Sequence, residues 1–402
     1  MTTHTRTETL ALYGGTPVRT APFAAWPQFG PDEEALLLEA LRSGHWGSLD
    51  GRFVTELERE YAALQAARFG INVANGTMGL MVALRALGVG RGDEVLVPPY
   101  TFIATASCAL VLGAIPVFVD VEADTLLIDP AKIEAAITPR TKAIIPVHHA
   151  GSPVDMDAVL AAARRHGLKV VEDAAQAAGA AWRGQPVGAL GDVGVFSLQS
   201  SKVVNSGEGG MMVTNDPALD ETLWSLRNVG RRRGGEWYEH VRLGWNLRMT
   251  EFQAAVALAQ LRRMPAQRQH RAESAAYLTA RLEQIPGIRA VRVPDGVTAH
   301  AWYTYHLRWL GGRDGGLPKM EFARALTAEG VPVFHGYVPL NRNEAIREEI
   351  ARLGGPEPTA CPEAERAASD EVLMFSLPIL MSERADLDDV VTAVAKVAAY
   401  RP

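Results

Sequence analysis

Short unbroken apolar runs alternate with longer stretches whose apolar positions recur every three or four residues through the first half of the chain. Runs of the first kind predict strands at 70–73, 94–97, 116–119, 142–147 and 169–171, the last ending at Glu172-Asp173. Stretches of the second kind predict helices at 54–67, 80–87, 104–112, 131–137 and 156–165. Continuous rather than alternating apolar strands are what a parallel sheet needs when helices cover both its faces. Repeated strand–helix units with short connections predict a doubly wound α/β unit, whose ligands sit at the carboxyl ends of the strands. Asp173, Tyr100-Thr101-Phe102 and His148-His149 all fall at such ends.

The flanks read differently. The first thirty residues are turn-rich, with Gly14-Gly15-Thr16-Pro17 and Ala25-Trp26-Pro27, and predict an arm lying on a surface. Pro31-Asp32-Glu33-Glu34 predicts a helix start, because carboxylates suit the positive end of a helix dipole, and Ser43-Gly44 predicts its end. The loop 45–52 reads as a connector or as a contact for substrate. Further on, a helix is predicted at 218–226, ahead of the basic run Arg231-Arg232-Arg233. Thr250 predicts the cap of a strong helix that Pro265 should end or kink, with the register resuming over 268–282. Strands at 289–293, 303–310 and 331–334, with helices at 319–328 and 385–399, predict a smaller α+β unit. The expected organisation is therefore an arm (1–30), a large α/β domain with a mostly parallel sheet between helices (31–265), and a connecting helix with a C-terminal α+β domain (266–402).

Composition narrows the classes. Of 402 residues, 48% are hydrophobic and 21% charged, as in an ordinary globular enzyme. A formal net charge of −6 gives no basic face for nucleic acid. The N-terminal segment has no apolar run long enough for a signal or a membrane span, so a cytoplasmic location is expected. The two cysteines, Cys108 and Cys361, are far apart and form no CxxC pair, which argues against a disulfide framework or a metal cluster.

The chemistry gathers around residues 195–213, VFSLQSSKVVNSGEGGMMV. Lys202 lies between two strand-like runs, beside glycines that let backbones approach closely. A hairpin with one solvated lysine fits this stretch, and so does an amine presented to an aldehyde cofactor. Upstream, Asn75-Gly76-Thr77 precedes a helix in the geometry that binds phosphate through free N–H groups and a helix dipole, although threonine also caps helices with no ligand. With an aromatic aldehyde phosphate as ligand these pieces make one site. Gly76-Thr77 anchors the phosphate, Lys202 forms the imine and later moves a proton, Asp173 keeps the ring nitrogen protonated, and Phe102 stacks on the ring. Helix capping for Asp173 and core packing for Phe102 remain open.

In order, NGT (75–77), PPYTFIAT (98–105), VHHAG (147–151), VEDAAQAAGA (171–180), FSLQSSKVVNSGEGG (196–210) and GWNLRMTEFQAA (244–255) resemble the DegT/DnrJ/StrS family of fold-type I, pyridoxal-phosphate-dependent sugar aminotransferases. The resemblance implies Lys202 as the Schiff-base lysine and Asp173 as the ring-nitrogen partner. It implies Gln176 near the phenolic oxygen, Gly76, Thr77 and Ser197 at the phosphate, and Phe102 on the ring. Asn246 matches an asparagine that reaches the phosphate from a neighbouring subunit, implying a homodimer with shared sites. His335 and Tyr337 match a region that touches substrate, while Asn341 stands where relatives often carry histidine. Gln199 and VHHAG look more like the branch that aminates cyclitol ketones such as scyllo-inosose, or that makes 3-amino-5-hydroxybenzoate, with glutamate or glutamine as donor. Nucleotide-linked keto sugars are the alternative acceptors. A cysteine desulfurase or a non-catalytic regulator of the same fold are the outside readings.

Overall fold

The computed structural model describes residues 9–401; residues 1–8 of the arm lie outside them. A seven-stranded sheet organises the larger unit. Its strands are β1 (Phe69–Val73), β2 (Glu94–Val97), β3 (Ile115–Phe118), β4 (Thr141–Ile144), β5 (Lys169–Asp173), β6 (Val193–Ser197) and β7 (Gly210–Thr214), in the order β1-β7-β6-β5-β4-β2-β3. Strands β2 to β6 pair in parallel, and β7 runs antiparallel to both β1 and β6.

The continuous apolar runs have the expected cause. In β6, Val193 and Val195 enter one hydrophobic core and Phe196 the other. Met212 of β7 likewise faces one core, while Met211 and Val213 face the other. Successive side chains point to opposite faces, and both faces are covered, so no position can be polar without a partner. Asn75 caps the helix Gly76–Ala86, its side chain accepting from Met78 N at 2.9 Å. Pro31 opens the helix Pro31–Ser43, and Gly44, in the left-handed region, closes it.

Thr250 and Gln253 form a capping box at the start of a helix running unbroken over Glu251–Leu282. Pro265 therefore does not end this helix, and the two predicted registers are one. The ring removes a single backbone donor. Its surroundings hold the turn on both sides, with Leu261, Met264 and Arg271 all buried. The division expected after residue 265 thus falls inside a continuous helix.

The smaller unit is a three-stranded antiparallel sheet of β8 (Ile288–Ala290), β9 (Tyr305–Trp309) and β10 (Val372–Phe375), β9 lying in the middle. The helices Lys319–Ala328 and Arg384–Ala399 complete its core with the second half of the long helix. Leu10 of the arm is fully buried in that core, and Arg19 forms ion pairs with Asp386 and Asp389 at 2.7 and 2.9 Å. Residues 331–334, expected as a strand, give only the bridge Phe334–Met374. No helix among the described residues is long and apolar enough to cross a membrane.

Candidate active site

Where β1, β5 and β6 end, the chain opens a cleft of about 710 Å³. It is lined by Gly76, Thr77, Phe102, Asp173, Gln176, Ser197, Lys202 and Tyr337, residues spread over more than 260 positions of sequence. Asn75 takes up the N–H of Met78, while those of Gly76 and Thr77 keep no partner among the described residues. A side chain at Gly76 would bring its Cβ within 3.0 Å of Ser197 Cβ, so glycine is what leaves this corner open. Free N–H groups, the Thr77 and Ser197 hydroxyls and a helix start form a cradle for an anion of phosphate size.

Asp173 is buried at the end of β5. Its Oδ2 accepts from Thr105 Oγ1 at 2.8 Å and its Oδ1 from Ala175 N at 3.2 Å. Burial raises its pKa above the ordinary carboxylate value, opposed by those two hydrogen bonds and by the charge of Lys202. A carboxyl group held in this way favours a cationic partner in the cleft. It caps no helix.

Lys202 sits in the loop between β6 and β7, which pair antiparallel and return the chain to the same edge of the cleft. Its N–H bonds to Gln199 O at 2.8 Å, and its Nζ lies 4.4 Å from the centre of the Tyr303 ring. Tyr303 Oη is 2.9 Å from Ser201 Oγ, which ties the ring to the lysine loop. Behind Lys202, Gly210 passes so close that an added Cβ would lie 2.7 Å from Asn75 C and 2.9 Å from Gly76 N. The glycine run therefore packs the lysine loop directly onto the anion cradle. A solvated surface hairpin would have no such constraint.

Gln176 accepts from Ala150 N at 2.7 Å and donates to Tyr337 Oη at 3.3 Å. Burial raises the Tyr337 phenol well above its ordinary pKa. Phe102 is 56% exposed on the cleft wall, which core packing does not explain. Gln199, Ser201 and Glu208 also line the cleft.

His335 is not brought to the cleft. Gly336 has a φ of 88°, which breaks the alternation of the extended segment, so Tyr337 faces the cleft and His335 lies exposed in a separate surface groove. Asn246 is exposed outside its own chain's cleft. His148 and His149 are buried behind the wall, His148 bonded to Glu172 at 3.0 Å and to Val154 N at 3.1 Å. Asn341 is buried and donates to Glu365 and to Thr359 O, away from the cleft. Both cysteines are buried and neither lines the cleft, and burial pushes the Cys361 thiol up to about 12. That is no environment for a reactive thiolate. Among the described residues there is no group of three or more metal-ligating side chains. Sequence reasoning missed Thr105 and Tyr303. Thr105 lies in the quoted PPYTFIAT segment, but nothing local marks Tyr303, which is a hundred residues from Lys202.

Residues 27–395 match the DegT/DnrJ/EryC1/StrS aminotransferase family. The chain belongs to this family. It is an α/β aminotransferase of the pyridoxal-phosphate-dependent, fold-type I class. It is 38% identical to the L-glutamine:2-deoxy-scyllo-inosose aminotransferase of Streptoalloteichus tenebrarius, across 96% of this chain and 97% of the relative. The crystal structure of 3-amino-5-hydroxybenzoic acid synthase superposes with a TM-score of 0.89 at 34% identity, covering 95% of this aminotransferase and 100% of that chain. A Streptococcus pneumoniae protein solved in its PLP form superposes with a TM-score of 0.84 at 26% identity, over 94% and 99% of the two chains.

Proposed function

We propose that this aminotransferase moves the α-amino group of L-glutamine onto the ketone of a polyhydroxylated cyclohexanone of the inosose type, on the path to an aminocyclitol. The convergence of Lys202, Asp173 and the Gly76-Thr77-Ser197 cradle on one cleft carries the catalytic reading. Full-length similarity to an enzyme named for an inosose acceptor and a glutamine donor supports the choice of substrates.

The residues present fit pyridoxal phosphate. The cradle suits its phosphate, Gln176 its phenolic side, Phe102 its ring face, and the buried Asp173 its protonated ring nitrogen. When bound, the cofactor supplies an electron sink for the carbon that loses a proton. Lys202 would hold it covalently and serve as the base of the reaction. With its amine free, Lys202 Nζ would take the proton from the α-carbon of the donor. In the second half-reaction it returns a proton to the carbon that becomes the amine-bearing carbon of the product. Tyr303, beside Nζ, limits where the amine can swing. Asp173 holds its negative charge against the ring nitrogen throughout, stabilised by Thr105 and Ala175.

We infer further that two copies of the chain share their sites through Asn246. The loop leading to it exposes Trp237, Tyr238 and Leu243, at 60%, 82% and 85%, an apolar surface of the kind that pairs with another chain. Mixing the inactive Lys202→Ala and Asn246→Ala chains tests this. Random pairing of shared-site dimers should restore about a quarter of wild-type activity, and no recovery refutes sharing.

The catalytic reading is tested on the purified protein. It should take up pyridoxal phosphate, and borohydride should fix the cofactor to Lys202 in a peptide digest. A protein that stays colourless would sink the reading. Half-reactions with L-glutamine against L-glutamate, then with scyllo-inosose, 2-deoxy-scyllo-inosose and nucleotide-linked keto sugars, decide donor and acceptor. The likeness to 3-amino-5-hydroxybenzoic acid synthase favours a second reading, in which the same site aromatises an aminated ring by loss of water. An ultraviolet-absorbing aromatic product would select it.

A further inference from the structure

The segment that brings Tyr337 to the cleft crosses from the small unit to the large one with little backbone support. At one end Phe334 N donates to Met374 O and Met374 N to Phe334 O, each at 3.0 Å. At the other, Leu340 N donates to Pro99 O at 2.8 Å. Between them the backbone of residues 335–338 makes a single hydrogen bond among the described residues, accepted by His335 O from Lys319 Nζ at 2.7 Å. The same ammonium also donates to Ala368 O, in the π-helical turn Ala367–Glu371.

Lys319 is the first residue of the helix Lys319–Ala328 and is only 4% exposed. Burying an ammonium is costly, and its two hydrogen bonds go to neutral carbonyls. Burial holds its pKa down to about 8, opposed by the charges of Asp370 and Glu371. A methionine would fill the same space without that cost, so what lysine adds is its grip on two carbonyls.

The carbonyl of His335 precedes the turn that aims Tyr337. Gly336 has a φ of 88°, and a Cβ added there would lie 2.4 Å from Tyr100 Oη. Beyond it, Tyr337 Oη accepts from Gln176 Nε2 at 3.3 Å, while Gln176 Oε1 accepts from Ala150 N at 2.7 Å. An amide nitrogen carries two protons. With one on Tyr337 and the amide oxygen held by Ala150, the place of Tyr337 decides where the second proton points. Gln176 and Tyr337 line the cleft and Lys319 does not.

We propose that Lys319 is a positioning residue of the active site, acting through Tyr337 on the second N–H of Gln176. The proposal rests on the reading in which Gln176 lies beside the phenolic oxygen of pyridoxal phosphate.

Lys319→Met tests it, because it keeps the length of the side chain and removes both hydrogen bonds. Crystals of the variant should show the Tyr337 hydroxyl drawn away from Gln176. With cofactor bound, the balance between its visible absorbance bands should change, and the half-reaction with L-glutamine should slow about three- to tenfold, as for one weakened hydrogen bond. Tyr337→Phe should give the same spectral change and the same slowing. The double variant should be no slower than either single one, as expected for two residues that act on one contact. Lys319→Gln, one bond shorter than lysine, decides the matter alone should Lys319→Met fail to fold. Tyr337 unmoved in the crystals, an unchanged spectrum, or losses that multiply in the double variant would each overturn the proposal. Failure of the cofactor reading is separate, since the wild type itself would then stay colourless while the place of Tyr337 in the variant crystals still tests Lys319.

Discussion

Asp173→Asn separates the charge of the site from its packing. In the native chain Asp173 Oδ2 accepts from Thr105 Oγ1 at 2.8 Å, Oδ1 accepts from Ala175 N, and Thr105 Oγ1 lies 3.3 Å from Thr101 Oγ1. An asparagine can place its Oδ1 on the Ala175 N–H and its Nδ2 on Thr105 Oγ1. The threonine then turns its own proton to Thr101, so every polar atom keeps a partner and the melting temperature should hold. What disappears is a buried negative charge facing a cationic ring nitrogen. Removing one member of such a pair costs about 3–5 kcal/mol, because the other is left buried and unpaired. Placed on the step that needs the electron sink, this is roughly a 10²–10⁴-fold loss of rate. Single-turnover kinetics with L-glutamine, alongside cofactor uptake by absorbance, read the loss directly. A variant that melts like the wild type and keeps its rate to within about fivefold would refute the role given to Asp173.

Glu172, the neighbour of Asp173 on β5, accepts from the N–H groups of Gly188, Leu190 and Gly191 at 2.6, 2.8 and 2.7 Å and from His148 Nε2 at 3.0 Å. Glu172→Gln turns an amide N–H toward two of these donors, at about 2–6 kcal/mol, and should lower the melting temperature by about 2–7 °C in calorimetry. Gly210→Ala drives a Cβ into the backbone of Asn75 and Gly76, at about 1–3 kcal/mol. Equilibrium dialysis should find its affinity for pyridoxal phosphate lowered, and unchanged affinity would mean that the two loops do not pack as described. The buried His149 and the half-buried His300 are held down to about 3 by loss of solvation, against 6.5 for a free ring. Between those values the unfolded chain binds the extra protons, so stability present above 6.5 is lost as pH falls toward 3. The urea midpoint should drop between about pH 7.5 and pH 5, and a flat profile would refute burial as the cause.

The fold was largely legible because its main signal is local. Continuous apolar strands, Thr250, Pro31 and Gly44 each act on a few neighbouring residues, and each does in the structure what its chemistry implies, whereas the helix after β1 is capped by Asn75 and not by the threonine its turn suggested. Local signals misled where distant packing overrode them. Pro265 reads as a breaker, yet the buried residues around it hold the helix together. Residues 331–334 have the composition of a strand, but only Phe334 finds a backbone partner. The helix Glu344–Arg352 and the strand Val372–Phe375 went unnoticed, the first amphipathic and short, the second a run of four. The helix Phe53–Leu64 begins where it does because Glu251 accepts from the N–H groups of Phe53 and Val54 at 2.8 and 2.7 Å. A cap supplied from two hundred residues away leaves no mark beside the helix it caps.

The site divides along the same line. By itself the sequence determined that a lysine, a strand-end carboxylate and a glycine–threonine turn exist in an order shared with one enzyme family, and so what chemistry the chain performs. Each of these is a residue type at a spacing, and spacing survives in one dimension. Only the tertiary structure decided that Gly210 seats the lysine loop on the Asn75-Gly76 turn, that Thr105 supports Asp173, and that Tyr303 stands over Lys202. It also decided that one left-handed glycine sends Tyr337 inward and His335 out. Those are contacts between segments far apart in the chain, and their distances are set by how helices and loops pack around the sheet.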